Sequence, residues 1–373
     1  MNLFNIILKK NIEEKMKKNL KKFLTLFFAT SLFIFSSCEN SKVKNEFGWY
    51  TDYETCLKES KKSGKKMLLL FSRDSNDEVS LPLKEKVLHT EEFKTEYSKD
   101  YNFCEIDLSN ELFIKAKPPK DASKEDHKNA KKYKKILDKR MRIFTVLSPN
   151  ATPSLFVLSK DGYVLKDITY IPVETVAQFK ELMAMYKDEV SKMEALIQDV
   201  ESKKGKEKVL AIDSLYEETN SKYRYQLTDL IRQVEKLDKK NETELVGKYV
   251  LALASSDAID AYLDRKPDIV SSIYEKAAKS PMLTIDQKQQ ALFGAFYVIA
   301  SNTPTEEQSD KMIELLEKTI AVKPDSEIAK KCESSLQMVK DFKARQEAKK
   351  KKIEEEGAPE QETTDTQTTE EQN

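Results

Sequence analysis

Between residues 173 and 344 the apolar side chains recur at three- and four-residue steps, and no proline falls between Pro172 and Pro267. A helix stacks positions i, i+3, i+4 and i+7 on one face, and an interior proline removes one of its hydrogen bonds. This half of the chain therefore reads as helical throughout. Val176, Phe179, Met183, Tyr186, Val190, Met193, Ile197 and Val200 form one such stripe, which predicts a long connector helix. Further helices are expected over 209–216, 227–237, 244–254, 269–278, 287–300, 305–321 and 326–344. Thr303, Pro304 and Glu306 have the spacing of a capping box at one of the joints.

The first half follows another period. Apolar runs at 67–71 and 103–108 read as strands; a third at 155–158 is joined by the Lys160-Asp161-Gly162 turn to a fourth at 163–168. A helical stretch opens at Trp49, carries Tyr53, Cys56 and Leu57 inward, and closes at Gly64. Strands interleaved with helices and ending in a hairpin predict an α/β sandwich.

The stretch 49–71, in which Trp49 and a Gly64-Lys65 pair lead into an apolar strand ending at Phe71, resembles the opening of secreted thioredoxin-like domains. Residues 71–93 align without a gap on that family's strand-to-helix turn, where two cysteines normally flank two residues, and Asp77 and Ser80 stand at the cysteine positions. Thr152-Pro153 matches the family's threonine and cis-proline. The resemblance covers about residues 48–190. It implies a thioredoxin-like sandwich whose relic active-site surface is made by Asp77, Ser80, Thr152 and Pro153, where an extended segment of a partner would pair with the backbone. Disulfide exchange needs an attacking thiolate and a resolving cysteine. Asp77 and Ser80 supply neither, so no catalytic residue is expected, and the two read as polar caps of a helix N-terminus. Two readings of Cys56 and Cys104 stay open: small buried hydrophobes, or a structural disulfide in an exported chain.

The segment Ala291-Leu292-Phe293-Gly294, followed by LLEKTIAVKP at 315–324, is similar to a tetratricopeptide repeat in its small residues at a helix crossing and its closing Pro324. Gly205, Gly247 and Gly294 recur at intervals of 42 and 47, longer than that family's period of about 34. The expected fold class is thus an α/β thioredoxin-like sandwich (48–190) followed by an all-α helical-repeat or bundle domain (191–345). Cys332, in phase with Ile328, Leu336 and Val339, reads as core there. Residues 346–373 lack apolar periodicity and are expected to be a disordered tail.

At the other end, residues 16–38 read MKKNLKKFLTLFFATSLFIFSSC: four lysines, an apolar run over 23–35, then two serines and a cysteine. The run is too short to span a bilayer and is built as a secretory signal. It resembles a bacterial lipoprotein signal, which implies removal of residues 1–37, lipid on Cys38 and a polar tether over 38–47; residues 1–15 precede a complete signal, so either translation starts at Met16 or the n-region is unusually long. Loss of residues 1–37 leaves 57 basic and 62 acidic residues, a balance without the positive excess that recruits nucleic acid. One local excess remains: residues 115–142 hold twelve Lys and Arg against four acidic residues. It reads as a solvated helix face or as a surface leaning on anionic headgroups.

With seven glycines, none clustered, and only two histidines, His89 and His127, the chain lacks the material for a phosphate-cradling loop or a zinc site. No cofactor and no metal are expected. The functional expectation is a membrane-anchored protein of the bacterial cell envelope, on the periplasmic or outer-surface side, held through lipid at Cys38. Its redox-inactive thioredoxin-like domain would bind or scaffold a protein or peptide partner. The alternative is a thiol-disulfide oxidoreductase relative that uses Cys56 or Cys104.

Overall fold

The computed structural model describes residues 44–73, 80–169, 171–301 and 306–356. The signal segment, Cys38, Asp77, residues 303–305 of the expected capping box and the tail beyond 356 lie outside the described residues. Four strands, β1 (Lys66–Ser72), β2 (Tyr101–Asp107), β3 (Ser154–Leu158) and β4 (Val164–Ile168), form one sheet in the order β2-β1-β3-β4. β2 lies parallel to β1, β3 pairs antiparallel with β1, and β4 pairs antiparallel with β3. A parallel pair needs a crossover. Here it contains α2 (Ser80–Leu83), which continues into a π turn at Lys84–Leu88, and then α3 (Glu91–Tyr97).

The first helix, α1 (Tyr53–Ser63), starts four residues later than the sequence suggests, because Asp52 caps it: the Thr55 amide donates to the Asp52 carboxylate at 2.9 Å. Gly64, at φ 74°, ends it in the left-handed conformation that glycine adopts freely. Trp49 is left outside the helix and is buried in the core.

Alternation along the strands divides the core in two. Leu68, Leu70, Phe103, Leu155 and Val157 point to one face, where Trp49, Val87, Phe93 and Phe179 pack on them. Met67, Leu69, Phe71, Cys104, Ile106 and Phe156 point to the other, under Cys56 of α1 and Leu147 of α5. A short α4 (Asn110–Lys115) precedes α5 (Lys124–Leu147), which starts at Lys124 because Ser123 and Asp126 form a capping box there.

The expected connector breaks at Tyr186 into α6 (Val176–Met185) and α7 (Lys187–Ser202). Val190, Met193, Ile197 and Val200 of α7 then pack into the same buried cluster as Trp49 and Leu68. So do Val209, Ile212 and Leu215 of α8 (Gly205–Glu218) and Tyr249 of α11 (Val246–Leu263). No gap in the core marks residue 190. The single helix expected over 227–237 is instead a 3-10 turn (Ser221–Leu227) followed by two four-residue helices, α9 (Thr228–Ile231) and α10 (Val234–Leu237). The Gln233 side chain donates to the Asp229 carbonyl at 2.9 Å, while the Gln233 amide turns to Leu230. The bond that would continue the helix is lost to this local competitor.

From α11 onward, α12 (Val270–Ala278), α13 (Ile285–Ala300), α14 (Glu306–Val322) and α15 (Glu327–Glu356) each pack on the preceding helix. Cys332 is buried there among Phe296, Leu315, Leu316 and Val339. α15 runs through 346–356, where a disordered tail was expected: this stretch is rich in Lys, Glu, Gln and Ala, all good helix formers, and the first glycine is Gly357. The three spaced glycines do different work. A Cβ on Gly247 would sit 2.7 Å from the Met282 carbonyl and one on Gly294 would sit 3.2 Å from the Tyr274 ring, whereas Gly205 has open space and a positive φ. Only Gly247 and Gly294 mark close helix crossings.

Candidate functional site

β1 ends at Ser72, five residues before Asp77 in the sequence, and its Phe71 pairs in register with Ser154 of β3. Pro153, which precedes Ser154, is thereby held beside the end of β1, and its bond to Thr152 is cis. Ser80 opens α2 and is fully buried.

The strongest electrostatic feature at this end was not anticipated from the sequence. Glu105, on β2, is only 7% exposed, yet it sits on the same sheet face as Phe103. Ser72 Oγ donates to its Oε1 at 2.8 Å, Lys84 Nζ lies 3.0 Å from the same oxygen, and Asn45 Nδ2 reaches Oε2 at 3.4 Å. His89 Nε2 stands 3.2 Å from Oε2, off the line of a good hydrogen bond. The imidazole is stacked on Phe47 at 4.5 Å and meets the edge of Trp49. Burial alone would raise the Glu105 pKa, but the His89 and Lys84 contacts outweigh it and hold the carboxyl down at about 2.

This cluster joins β1, β2, the π turn and the segment before α1. Its order rules out an acyl-transfer triad. In such a triad the imidazole lies between hydroxyl and carboxylate and takes the hydroxyl proton, whereas here the carboxylate lies between Ser72 and His89. Ser72 already donates to an acid that stays ionised. The sequence signal was a glutamate in the middle of the apolar stretch Phe103-Cys104-Glu105-Ile106, but its partners at 84 and 89 lie on another element. Among the described residues, no group of three or more His, Cys, Asp or Glu side chains could hold a metal ion.

Cys56 and Cys104 meet beneath α1, on the opposite sheet face from Glu105. They are free thiols in contact rather than the disulfide that was one of two expectations. Burial, followed by the Cys56 contact, pushes the Cys104 thiol well above its usual range. A thiol that stays protonated and has no exposure is a poor nucleophile. Cys332 is also buried, and burial raises its pKa to about 11.

Around this core the charged α5 is tied down at several points. Arg142 bonds to Asp260 of α11 and to Asp264, the residue after its last turn, at 2.6 and 2.9 Å, and Lys139 to Glu54 of α1 at 2.6 Å. Part of the basic excess at 115–142 is therefore engaged within the molecule. Among the described residues no helix is long and apolar enough to cross a membrane.

Residues 53–184 match the family described as thioredoxin-like domain, and residues 245–347 match one described as uncharacterised protein C-terminal domain. No curated protein matches the chain. A solved structure described as DsbH Oxidoreductase is similar at 16% identity, covering 41% of this chain and 96% of its own, with a TM-score of 0.27. A likeness that distant carries no argument about chemistry. Sheet order, helices on both faces and the matched residues agree: the chain carries a thioredoxin-like domain over 53–184, followed by a helical C-terminal domain.

Proposed function

We propose that this protein is a lipid-anchored binding or scaffolding component of the bacterial cell envelope, and that its thioredoxin-like domain has no disulfide chemistry of its own. The observation that carries the reading is the placement of sulfur. Ser80 occupies the second cysteine position of the relic turn, and Cys56, Cys104 and Cys332 are all buried. The surface around Asp77, Ser80, Thr152 and Pro153 then serves to receive an extended segment of a protein partner through backbone pairing, with neighbouring side chains selecting its sequence. Helices α7 and α8 and the start of α11 supply fixed surface beside it, since they share the core of the sandwich. Lipid on Cys38 supplies the anchor, and the exposed Lys124, Lys131, Lys132 and Lys135 of α5, which have no ion-pair partner among the described residues, could add attraction to anionic headgroups.

One experiment on cells tests anchor and chemistry together. Acid quenching followed by thiol alkylation and mass analysis should find lipid on Cys38, absent after Cys38→Ala, and no mixed disulfide between this chain and another protein. A partner linked through Cys56 or Cys104 would favour the oxidoreductase reading instead, and an unlipidated Cys38 would remove the anchor.

A further inference from the structure

α4 packs against α5 with Leu112 and Ala116 buried, and Lys115 Nζ lies 5.5 Å from the centre of the Tyr133 ring. The other side of α4 is bare: Phe113 is 38% and Ile114 72% exposed, and Pro118 and Pro119, which follow, are exposed as well. A single apolar residue in water is ordinary. These stand inside a block of one charge. Residues 113–135 hold nine lysines against three acids, in a chain with 64 basic and 64 acidic residues. Three of the nine are engaged, Lys115 with Glu111, Lys128 with Glu125 and Lys134 with Asp138. Lys117, Lys120, Lys124, Lys131, Lys132 and Lys135 are exposed and have no ion-pair partner among the described residues. Lys124, Lys131 and Lys135 fall at i, i+7 and i+11, so they form one stripe along α5.

The chain enters the domain at the end of β2 from which α4 leaves. Asn45 Nδ2 reaches Glu105 Oε2 at 3.4 Å, and α4 starts at Asn110, three residues past the end of β2 at Asp107. Six peptide steps separate Cys38 from Lys44, a reach of at most about 20 Å. A lipid on Cys38 would therefore keep this end of the sandwich close to a bilayer surface.

An acidic protein would satisfy the lysines and leave Ile114 without a role. A bilayer takes both, with phosphates for the lysines and the acyl boundary for the apolar tip. We infer that the tip of α4 and the lysine stripe of α5 form a docking face for an anionic lipid bilayer, with Phe113 and Ile114 entering the boundary between headgroups and acyl chains. The direction toward the membrane rests on the proposed anchor at Cys38; the charge and the apolar tip do not.

Co-sedimentation with vesicles tests this on the mature chain carrying Cys38→Ala, where no lipid contributes. In about 0.1 M salt, binding to vesicles of phosphatidylglycerol and phosphatidylcholine in equal parts should be at least tenfold tighter than to phosphatidylcholine alone. Lys124→Gln, Lys131→Gln, Lys132→Gln and Lys135→Gln combined should weaken it at least tenfold. Ile114→Ser should weaken it at least threefold, and Ile114→Trp should shift its emission to the blue on adding the anionic vesicles, against the constant signal of the buried Trp49. The Ile114 variants change a side chain that is mostly in solvent, so they decide the matter even where the lysine variant misfolds. The proposal is overturned if anionic vesicles are bound no better than neutral ones, if a folded variant binds as wild type does, or if the Ile114→Trp emission does not shift. Tighter binding of soluble polyglutamate than of the vesicles would also overturn it, as the face would then suit an acidic protein. Lipid found on Cys38 in cells together with any of these results would remove the docking face and leave the anchor standing.

Discussion

Glu105→Ala should destabilise the protein by about 3–5 kcal/mol, because the change strands the Lys84 ammonium and the Ser72 hydroxyl without their acceptor in a largely buried site. Removing both charges should cost far less: in Glu105→Met with Lys84→Met an apolar pair of similar volume replaces the ions, and such exchanges are often near neutral. Denaturant unfolding of the two single variants and the double variant would show this as a strong coupling. The pH dependence has a definite sign. The Glu105 pKa falls from 4.5 unfolded to about 2 folded, so its stabilisation is complete above about pH 4.5 and is lost as pH falls toward 2. At 1.36 kcal/mol per pKa unit this is on the order of 3 kcal/mol. Wild type should therefore lose stability over that window more steeply than Glu105→Gln, and parallel acid profiles for the two would show that the carboxylate is not held as described.

Trp49→Ala should have an effect of similar size, about 3–5 kcal/mol. The indole is 1% exposed, stacked on Phe103 at 5.1 Å and on Phe93 at 6.1 Å, and its Nε1 donates to the Leu88 carbonyl at 3.3 Å. Truncation leaves a large cavity and an unpaired carbonyl. The reach of the effect is the sharper point. Trp49 belongs to the buried cluster that continues through α7 and α8 to Tyr249, so loss of the indole should lower a single unfolding transition that includes those helices. Two separated transitions, with only the earlier one shifted, would show that the thioredoxin-like half and the first helices fold as independent units.

What could be read from the sequence follows the range of the forces involved. The strand at 67–71 was legible because five consecutive apolar residues must be buried on both faces, and the later hairpin because a Lys-Asp-Gly turn follows a short apolar run. Most helix positions were legible from their stripes. Their ends were not, because those depend on local caps such as Asp52 and Ser123, or on a competitor such as the Gln233 side chain. α11 outran its expected end at 254 because small residues, Ala258 and Ala261, carry its buried face onward and leave no visible stripe.

The site was less legible than the fold. Pro153 came from a resemblance between sequences, whereas the Glu105 cluster gathers residues from four separate segments and has no linear signature. The burial of Ser80 was not read from the sequence.

The central claim is that this thioredoxin-like domain holds partners without exchanging disulfides, and insulin reduction measures that most directly. With dithiothreitol as reductant, the purified mature chain should bring insulin to turbidity no sooner than buffer alone. Accelerated onset that disappears in Cys56→Ser or Cys104→Ser would contradict the account and make the buried pair a working redox centre.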